Sequence, residues 1–169
     1  MQLLISDSNI LIDLFVIDQI ENMFKLPYKF AVPDILFDEE LKLQHSDLLN
    51  FGLEVKSLSS ETIAYAFELA ERYPKPGRND LFALALAQQE ECSLLTGDMD
   101  LRNAAESEAI ILYGTIWIID HLVRHNLLSI VEARDAYQKM KELKRRIPWN
   151  IAYAHLDELE NELKVLHLT

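Results

Sequence analysis

The feature that most constrains the fold is an alternation of two kinds of segment up to residue 113. Short apolar stretches bounded by polar or turn residues are typical of strands, and the stretches between them have helical spacing. The predicted strands are residues 2–6, 29–32, 53–58, 92–96 and 109–113, and the predicted helices are 8–24, 33–45, 60–73 and 79–91. This alternation predicts an α/β fold with a central, mainly parallel sheet of about five strands sandwiched by helices.

After residue 113 the pattern indicates helices alone, at 115–126, 129–146 and 149–166. We therefore expect an α/β core over residues 1–113 and an all-helical C-terminal extension over 114–169 that packs on the core. The last helix carries an apolar stripe at alternating spacings of four and three, formed by Ala152, Leu156, Leu159, Leu163 and Leu166. We expect this stripe to pack on the domain itself, with dimerisation or a partner protein as the alternative.

Composition and charge limit the classes of function. The chain has 169 residues, half of them apolar, which is typical of one folded globular domain. No apolar stretch approaches the roughly 20 residues of a membrane span, and the N-terminus lacks the basic region of a signal peptide, so we expect no membrane association and a cytoplasmic location. The net charge of −12 opposes indiscriminate binding to nucleic acid, so any such contact must be local.

Three aspartates stand at the starts of predicted helices. In parallel α/β sheets, functional groups gather at the carboxyl ends of the strands, and Asp7 and Asp98 follow predicted strands directly. Asp80 opens the fourth predicted helix, and Asp98 stands before a further helical segment, MDLRNAAES. Each aspartate is also suited to capping its helix, but Ser8 and Asn79 are alternative caps for the first and fourth helices. If those residues are the caps, Asp7 and Asp80 are free for another role.

Glu39 and Glu40 lie inside the second predicted helix, where no cap is required. On a helical projection Glu39 falls near the centre of an apolar arc made by Ile35, Leu36 and Leu43, and Glu40 falls on its flank. A carboxylate that points inward is costly unless it is paired or bound to metal. We therefore favour Glu39 as a functional residue, with Glu40 as the alternative.

Convergence of Asp7, Glu39, Asp80 and Asp98 would require a cation. Two unit charges ~4 Å apart repel by about 4 kcal/mol at an effective dielectric of 20. Ligand sets made only of oxygen select hard ions, so we expect Mg²⁺ or Mn²⁺. Such an ion retains bound water that can attack a phosphodiester, so the predicted reaction class is metal-assisted hydrolysis.

Four blocks of the sequence resemble, in order, spacing and context, the acidic blocks of PIN domains, the fold shared by VapC-type toxin ribonucleases. They are LLISDSNILIDLF, AVPDILFDEEL, RNDLFALALA and LLTGDMDLRNAA. The resemblance implies an endoribonuclease that depends on Mg²⁺ or Mn²⁺ and cleaves RNA with water activated by the acidic cluster. It places the four catalytic and metal-binding acids at Asp7, Glu39, Asp80 and Asp98.

The resemblance also extends to residues around these acids. It implies a further metal ligand at Asp100, a hydroxyl residue before the fourth acid at Thr96, and a small polar residue at Asn9 that helps to hold the first acid. The tail is similar to the helical extension of a PIN subgroup. We expect RNA as the substrate and a homodimer, and, if the protein is the toxin of a toxin–antitoxin pair, an antitoxin-like partner.

Basic residues are concentrated in two places. Arg72, Lys75 and Arg78 precede Asp80, where they are candidates for contact with RNA phosphates, although a plain surface loop explains them equally simply. The run KMKELKRR, residues 139–146, is the strongest basic segment, and we interpret it as a solvated helix face.

His121 and His125 have the spacing of a metal-binding pair on one helix face, but no glutamate of the HExxH type accompanies them. We interpret them as solvated or core-edge residues, and the lone Cys92 as a small packed residue. Two alternative functions are a catalytically silent PIN-like interaction module and a phospho-acceptor receiver domain. All four acidic positions are filled, which disfavours the first, and Asp7 lacks the second acid expected at its turn in a receiver.

Overall fold

The short apolar segments form the strands of one sheet in a computed structural model that describes residues 1–168. The strands are β1 Gln2–Ser6, β2 Tyr28–Pro33, β3 Glu54–Lys56, β4 Ser93–Leu95 and β5 Leu112–Tyr113. Their order is β3-β2-β1-β4-β5, and every pairing is parallel. The prediction of a parallel α/β sheet is confirmed, with each strand near its predicted place.

Helices connect the strands and then form the tail. Those before β5 are α1 Ser8–Val16, α2 Ile20–Met23, α3 Asp34–Leu36, α4 Lys42–His45, α5 Leu48–Phe51, α6 Ser60–Arg72, α7 Arg78–Gln89 and α8 Met99–Ser107. Those after β5 are α9 Thr115–Arg124, α10 Ile130–Glu142 and α11 Trp149–Leu168. Residues 81–87 of α7 are all buried, and this helix packs against β1, β2 and β4.

The strand order reverses at β1. From β1 the chain moves outward to β2 and β3, and then crosses back to β4 and β5 on the other side. Because parallel crossovers are right-handed, this reversal places the helices of the two halves on opposite faces of the sheet. It also opens a crevice between the carboxyl ends of β1 and β4, where ligands bind in folds of this kind.

The first two predicted helices are both interrupted. The helix expected at 8–24 ends at Val16, because Asp18 adopts a left-handed conformation with φ 57°. A second, short helix, α2, begins at Ile20. The helix expected at 33–45 contains a π-helical segment, Phe37–Leu41, between α3 and α4. A π turn adds one residue to the helical cycle, so it rotates every later side chain relative to a regular helix.

That rotation overturns the predicted facing of Glu39. Leu43, which the regular projection places in the apolar arc around Glu39, is 97% exposed. Phe37 and Leu41 are buried together with Leu36, so the core-facing side of this segment is not the predicted arc centred on Glu39. The prediction that Glu39 points inward is therefore wrong, and its side chain is 46% exposed.

The C-terminal helices share one buried cluster with the sheet. On α11, the side chains of Ala152, Leu156 and Leu159 are almost fully buried, which confirms that this part of the apolar stripe packs on the domain. Leu163 is partly buried, and Leu166 is 60% exposed. Within residues 1–168, none of the helices combines the length and the apolar character needed to cross a membrane.

Candidate active site

The reversal of strand order brings two predicted acids together. Asp7 follows β1 and Asp98 comes three residues after the end of β4, so both stand at the carboxyl edge of neighbouring strands. The backbone N–H of Asp7 donates to the carbonyl oxygen of Leu95 over 3.0 Å, which joins the two strand ends directly. The crevice of the sheet is therefore lined by carboxylates.

Asp7 is completely buried and has two roles in its immediate surroundings. Its Oδ1 accepts the backbone N–H of Ile10 over 2.9 Å, so Asp7 itself is the N-cap of α1, and the alternative cap, Ser8, is not used. Burial raises the pKa of the Asp7 carboxyl to about 7, against the opposing effect of its hydrogen bonds, and the charge of Asp80 raises it further. A carboxylate in this position is costly without a compensating positive charge.

Thr96 links the acids at the two strand ends. Its Oγ1 donates to Asp7 Oδ2 over 2.5 Å and accepts the backbone N–H of Asp98 over 3.1 Å. Thr96 is fully buried, so this hydroxyl holds the Asp7 carboxylate in one orientation. The structure thus places Thr96 in contact with the first acid.

Asp80 lies in the first turn of α7, where Gly77 is the N-cap and no side chain caps the helix. Asp80 and Asn79 are therefore not the caps that the sequence suggested. Burial raises the pKa of the Asp80 carboxyl to about 6, and the nearby carboxylates of Asp98 and Glu40 raise it further. Asp7, Glu40 and Asp98, which come from three other segments, therefore each lie within electrostatic range of Asp80.

Asp98 is the N-cap of α8, and its capping uses one oxygen only. Its Oδ1 accepts the backbone N–H groups of Asp100 and Leu101 over 2.8 and 3.3 Å. Within residues 1–168, its Oδ2 makes no hydrogen bond, and this leaves one oxygen for another ligand. Asp100 lines a separate cleft of about 200 Å³ that also contains Lys75 and Asn103.

Glu39 and Glu40 point to different partners. The Glu39 carboxylate accepts hydrogen bonds from Arg78 Nη2 over 2.5 and 2.7 Å and from Asn79 Nδ2 over 2.9 Å, and these donors lower its pKa. Glu40 Oε1 accepts the hydroxyl of Ser8 over 3.2 Å, and its charge raises the pKa of Asp80. Glu40 rather than Glu39 therefore faces the other acids.

Two of the three basic residues near Asp80 are already paired. Arg72 donates to Glu108 over 3.0 and 3.2 Å, and Arg78 is held by Glu39. The exposed side chain of Lys75 has no ion-pair partner in the part of the chain that the structure describes. Of the three basic residues, Lys75 is therefore the one whose charge remains available for contact with a phosphate.

The remaining candidates from the sequence, which are His121, His125, Cys92 and Asn9, make no hydrogen bond with the site acids within residues 1–168. The Nδ1 atoms of His121 and His125 lie 2.9 and 2.8 Å from the backbone carbonyl oxygens of Trp117 and His121, which agrees with a core-edge role. Burial raises the pKa of the Cys92 thiol to about 11, as expected for a packed residue. The exposed side chain of Asn9 makes no hydrogen bond to any described residue, including Asp7.

Sequence reasoning missed three polar residues around the acids. Ser8 is buried beside Asp7 and binds Glu40. Asn79 binds Glu39 through Nδ2, while its Oδ1 is buried without a hydrogen-bond partner among the described residues. Asp13, six residues along the chain from Asp7, contacts Arg145 of the tail and adds to the raised pKa of Asp7. The only sequence feature that could have identified any of these three residues is that Ser8 and Asn79 are adjacent to the predicted acids Asp7 and Asp80.

The donor set fits a hard divalent cation. Within residues 1–168, no three acidic, histidine or cysteine side chains are already arranged as a closed metal site. Mg²⁺ usually binds through one or two carboxylates and keeps several waters, so it does not require a closed site. Buried, mutually repelling carboxylates such as Asp7 and Asp80, together with the free oxygen of Asp98, have the chemistry that such an ion stabilises.

Comparison with known families agrees with this geometry. A family model described as DUF3368, PIN domain, matches residues 3–161. The chain belongs to the PIN-domain family. Since the match includes the tail, the helices after β5 are part of this family's pattern. The receiver-domain alternative is therefore excluded, and membership places the chain in a family whose members are generally nucleases that use divalent metal ions.

Solved structures resemble this PIN domain at low identity. The structure of VapBC2 from Rickettsia felis, bound to a DNA fragment from their promoter, contains a chain with 20% identity and a TM-score of 0.49. The match covers 67% of this chain and 98% of that one. A PilT N-terminus domain protein from Sulfolobus solfataricus P2 has 16% identity and a TM-score of 0.47, with coverages of 70% and 90%. None of the curated proteins compared with the chain matches it.

Proposed function

We propose that this PIN domain is an endoribonuclease that depends on Mg²⁺ or Mn²⁺ and uses Asp7, Glu40, Asp80 and Asp98. The observation that carries the proposal is the environment of Asp80. Burial, and then the charges of Asp98 and Glu40, raise the pKa of the Asp80 carboxyl to about 6. These acids belong to the crevice where the strand order of the parallel sheet reverses. Such clusters of perturbed acids in a crevice are typical of catalytic sites.

The side chains of this chain would hold the ion and orient the substrate. When bound, the cation supplies charge stabilisation to the phosphodiester and lowers the pKa of the attacking water. Asp7 is fixed by Thr96 and by the amide of Ile10, so its carboxylate is oriented before any ligand arrives. Asp80 would help to hold the ion, because its half-buried carboxylate is repelled by Asp98 and Glu40 and a cation relieves that repulsion.

Glu40 takes the place of Glu39 in this proposal. Support for Glu40 comes from its hydrogen bond with Ser8, which neighbours Asp7, and from its effect on Asp80. Glu39 is occupied by Arg78 and Asn79, so we propose that it positions the first turn of α7 instead. Asp100 is proposed as an outer residue whose side chain contacts bound water.

The test is cleavage of a labelled single-stranded RNA by the wild type and by Asp80→Asn, each with Mn²⁺ and with a chelator. We expect the substitution to reduce the rate by about 100-fold or more, because it removes a charged group that acts in the transition state. Asp47→Asn, an exposed change of the same chemistry, is the control. Equal cleavage by wild type and Asp80→Asn would contradict the assignment, and no cleavage by the wild type would favour a catalytically silent module.

Four further statements stay predictions. They are a toxin role, an antitoxin-like partner, a homodimer and a cytoplasmic location. Co-purification with the product of an adjacent gene tests the first two. Light scattering of the purified protein tests the third, and fractionation of cells tests the fourth.

A further inference from the structure

The strongest local excess of positive charge lies in the C-terminal extension. Five of the eight residues from 139 to 146 are basic and one is acidic, in a chain with a net charge of −12. The helix α10 ends at Glu142, and Lys144 turns the chain with φ 60°, so the second half of this run is a loop and not the expected solvated helix face. We call residues 141–146, which are the last two residues of α10 and the loop that follows them, the basic loop.

The basic side chains of this loop are available to a ligand. Lys141, Lys144 and Arg146 are exposed. None of the three makes a hydrogen bond or an ion pair through its side chain with any residue in the range 1–168. By contrast, Arg72 and Arg78, on the other candidate segment, are neutralised by glutamates. Of the two candidate basic segments, the basic loop therefore carries most of the positive charge that remains free for a polyanion.

Arg145 fixes the basic loop against α1. Its Nη2 donates to the carbonyl oxygen of Asn9 over 3.3 Å, and its Nε donates to Asp13, which also accepts the hydroxyl of Thr115 over 3.1 Å. Asn9 lies in the first turn of α1, the helix that Asp7 caps. The exposed cations of the loop thus stand next to the helix that begins at the buried acid.

The basic loop would offset the electrostatic repulsion between this acidic protein and the phosphates of RNA. A strongly acidic protein with an acidic site repels the phosphate backbone of its own substrate. Phosphate contacts made by Lys and Arg set the register of a nucleic acid without reading its sequence. Cations placed at the rim of the crevice would hold the flanking phosphates while one phosphodiester lies over the acids.

We propose that Lys141, Lys144 and Arg146 bind the phosphates of single-stranded RNA beside the acidic site, with Arg145 as the positioning residue of the loop. The inference rests on the proposed function, which names RNA as the substrate. It gives the helical extension a direct part in substrate binding. Neither the metal nor the cleavage step is needed for this contact, so binding can be measured separately.

The test measures RNA binding without cleavage. A fluorescent single-stranded RNA of about 20 nucleotides is titrated with the Asp80→Asn protein in the presence of a chelator, and its anisotropy is measured from low to high salt. The same titration is made with the loop pair, which is Asp80→Asn combined with Lys141→Ala and Arg146→Ala. The control pair is Asp80→Asn combined with Lys25→Ala and Lys29→Ala. These two lysines are exposed and lie at the amino end of β2, at the edge of the sheet opposite the acids, and their removal changes the net charge by the same amount.

Each phosphate contact on a single strand contributes about 0.7 to the slope of log affinity against log salt, so losing two contacts lowers the slope by about 1.4. At ~0.1 M salt this corresponds to roughly 25-fold weaker binding, relative to a 1 M reference. The control pair should change the affinity by less than about threefold. Lys144→Gln, which leaves α10 untouched, should by itself weaken binding by about fivefold.

Equal losses in the loop pair and the control pair, or no loss in either, would overturn the inference. If the wild type cleaves RNA with Mn²⁺ while the loop pair binds like the control, the proposed function stands and the inference fails. If the loop pair loses RNA binding but the wild type does not cleave RNA, the inference stands and the proposed function fails. A wild type that binds no RNA, with a loop pair that changes the oligomeric state, would identify a contact between copies and also overturn the inference.

Discussion

Replacement of Asp7 by Asn should stabilise the metal-free protein, although Asp7 is buried and hydrogen-bonded. Its pKa is raised from 3.8 to about 7, chiefly by burial. Since an acid with a raised pKa in the folded state opposes folding once it is ionised, the cost begins above pH 3.8, grows up to about pH 7 and is constant above that. Asn has nearly the same shape and carries no charge, so it removes this cost.

The magnitude follows from the shift and from the hydrogen bonds of Asp7. A rise from 3.8 to about 7 corresponds to about 4 kcal/mol of lost stability at pH 8. Asn can still accept the N–H of Ile10, but its amide group replaces the oxygen that accepts from Thr96, at a cost of about 2 kcal/mol. The net gain is therefore about 2 kcal/mol at pH 8, which raises the thermal midpoint by roughly 6 °C for a domain of this size.

The assay is thermal unfolding in a chelator, followed by circular dichroism at pH 8 and at pH 5. At pH 5 the charge penalty of the wild type falls to about 1.6 kcal/mol, so the advantage of Asp7→Asn should disappear. Asp47→Asn controls for the general effect of removing one carboxylate, because Asp47 is exposed and its side chain does not cap α5. Saturating Mn²⁺ should raise the midpoint of the wild type and leave Asp7→Asn unchanged.

A clear result would refute this reasoning. If Asp7→Asn lowers the midpoint at pH 8 as much as at pH 5, the carboxylate stabilises the fold mainly as a helix cap. The crevice would then be a structural feature with no need of a cation. A stabilisation of equal size at both pH values would also contradict the argument, because it would not depend on ionisation.

Two further changes examine the neighbours of Asp7. Glu40→Gln should reduce RNA cleavage by at least tenfold, whereas Glu39→Gln should stay within about threefold of the wild type, and the opposite ranking in a rate assay would restore Glu39 as the site residue. Thr96→Val should lower the free energy of unfolding by about 2 kcal/mol in urea denaturation at pH 8, because the ionised Asp7 loses its hydroxyl donor. Thr96→Ser keeps that hydroxyl, so a loss as large as that of Val would point to packing instead.

The failure at Glu39 has a specific physical cause. Helical projection assumes 3.6 residues per turn, and it placed Glu39 and Leu43 on one buried face. The π-helical segment breaks that assumption, so that Leu41 is buried while Leu43 is exposed. The sequence of this segment contains no pattern that distinguishes a π turn from a regular helical turn, so its presence was seen only in the structure.

A similar limit applied to the helix caps. Asp, Ser and Asn are comparable as N-cap residues, so propensity left the choice between Asp7 and Ser8 open. The tertiary structure decided it, because Ser8 faces Glu40 from another segment. Capping does not exclude a site role, because Asp98 caps α8 with one oxygen and keeps the other free of any hydrogen bond to a described residue.

The alternation of apolar strands with helical segments determined the parallel α/β fold, because side-chain periodicity and burial are local properties of the chain. The same local reading located Asp7, Asp80 and Asp98 at the starts of helices. Only the tertiary structure decided that strand order reverses at β1, that Glu40 rather than Glu39 faces these acids, and that Arg145 brings a basic loop beside α1. Those features depend on contacts between segments far apart in sequence, whose energies no local pattern contains.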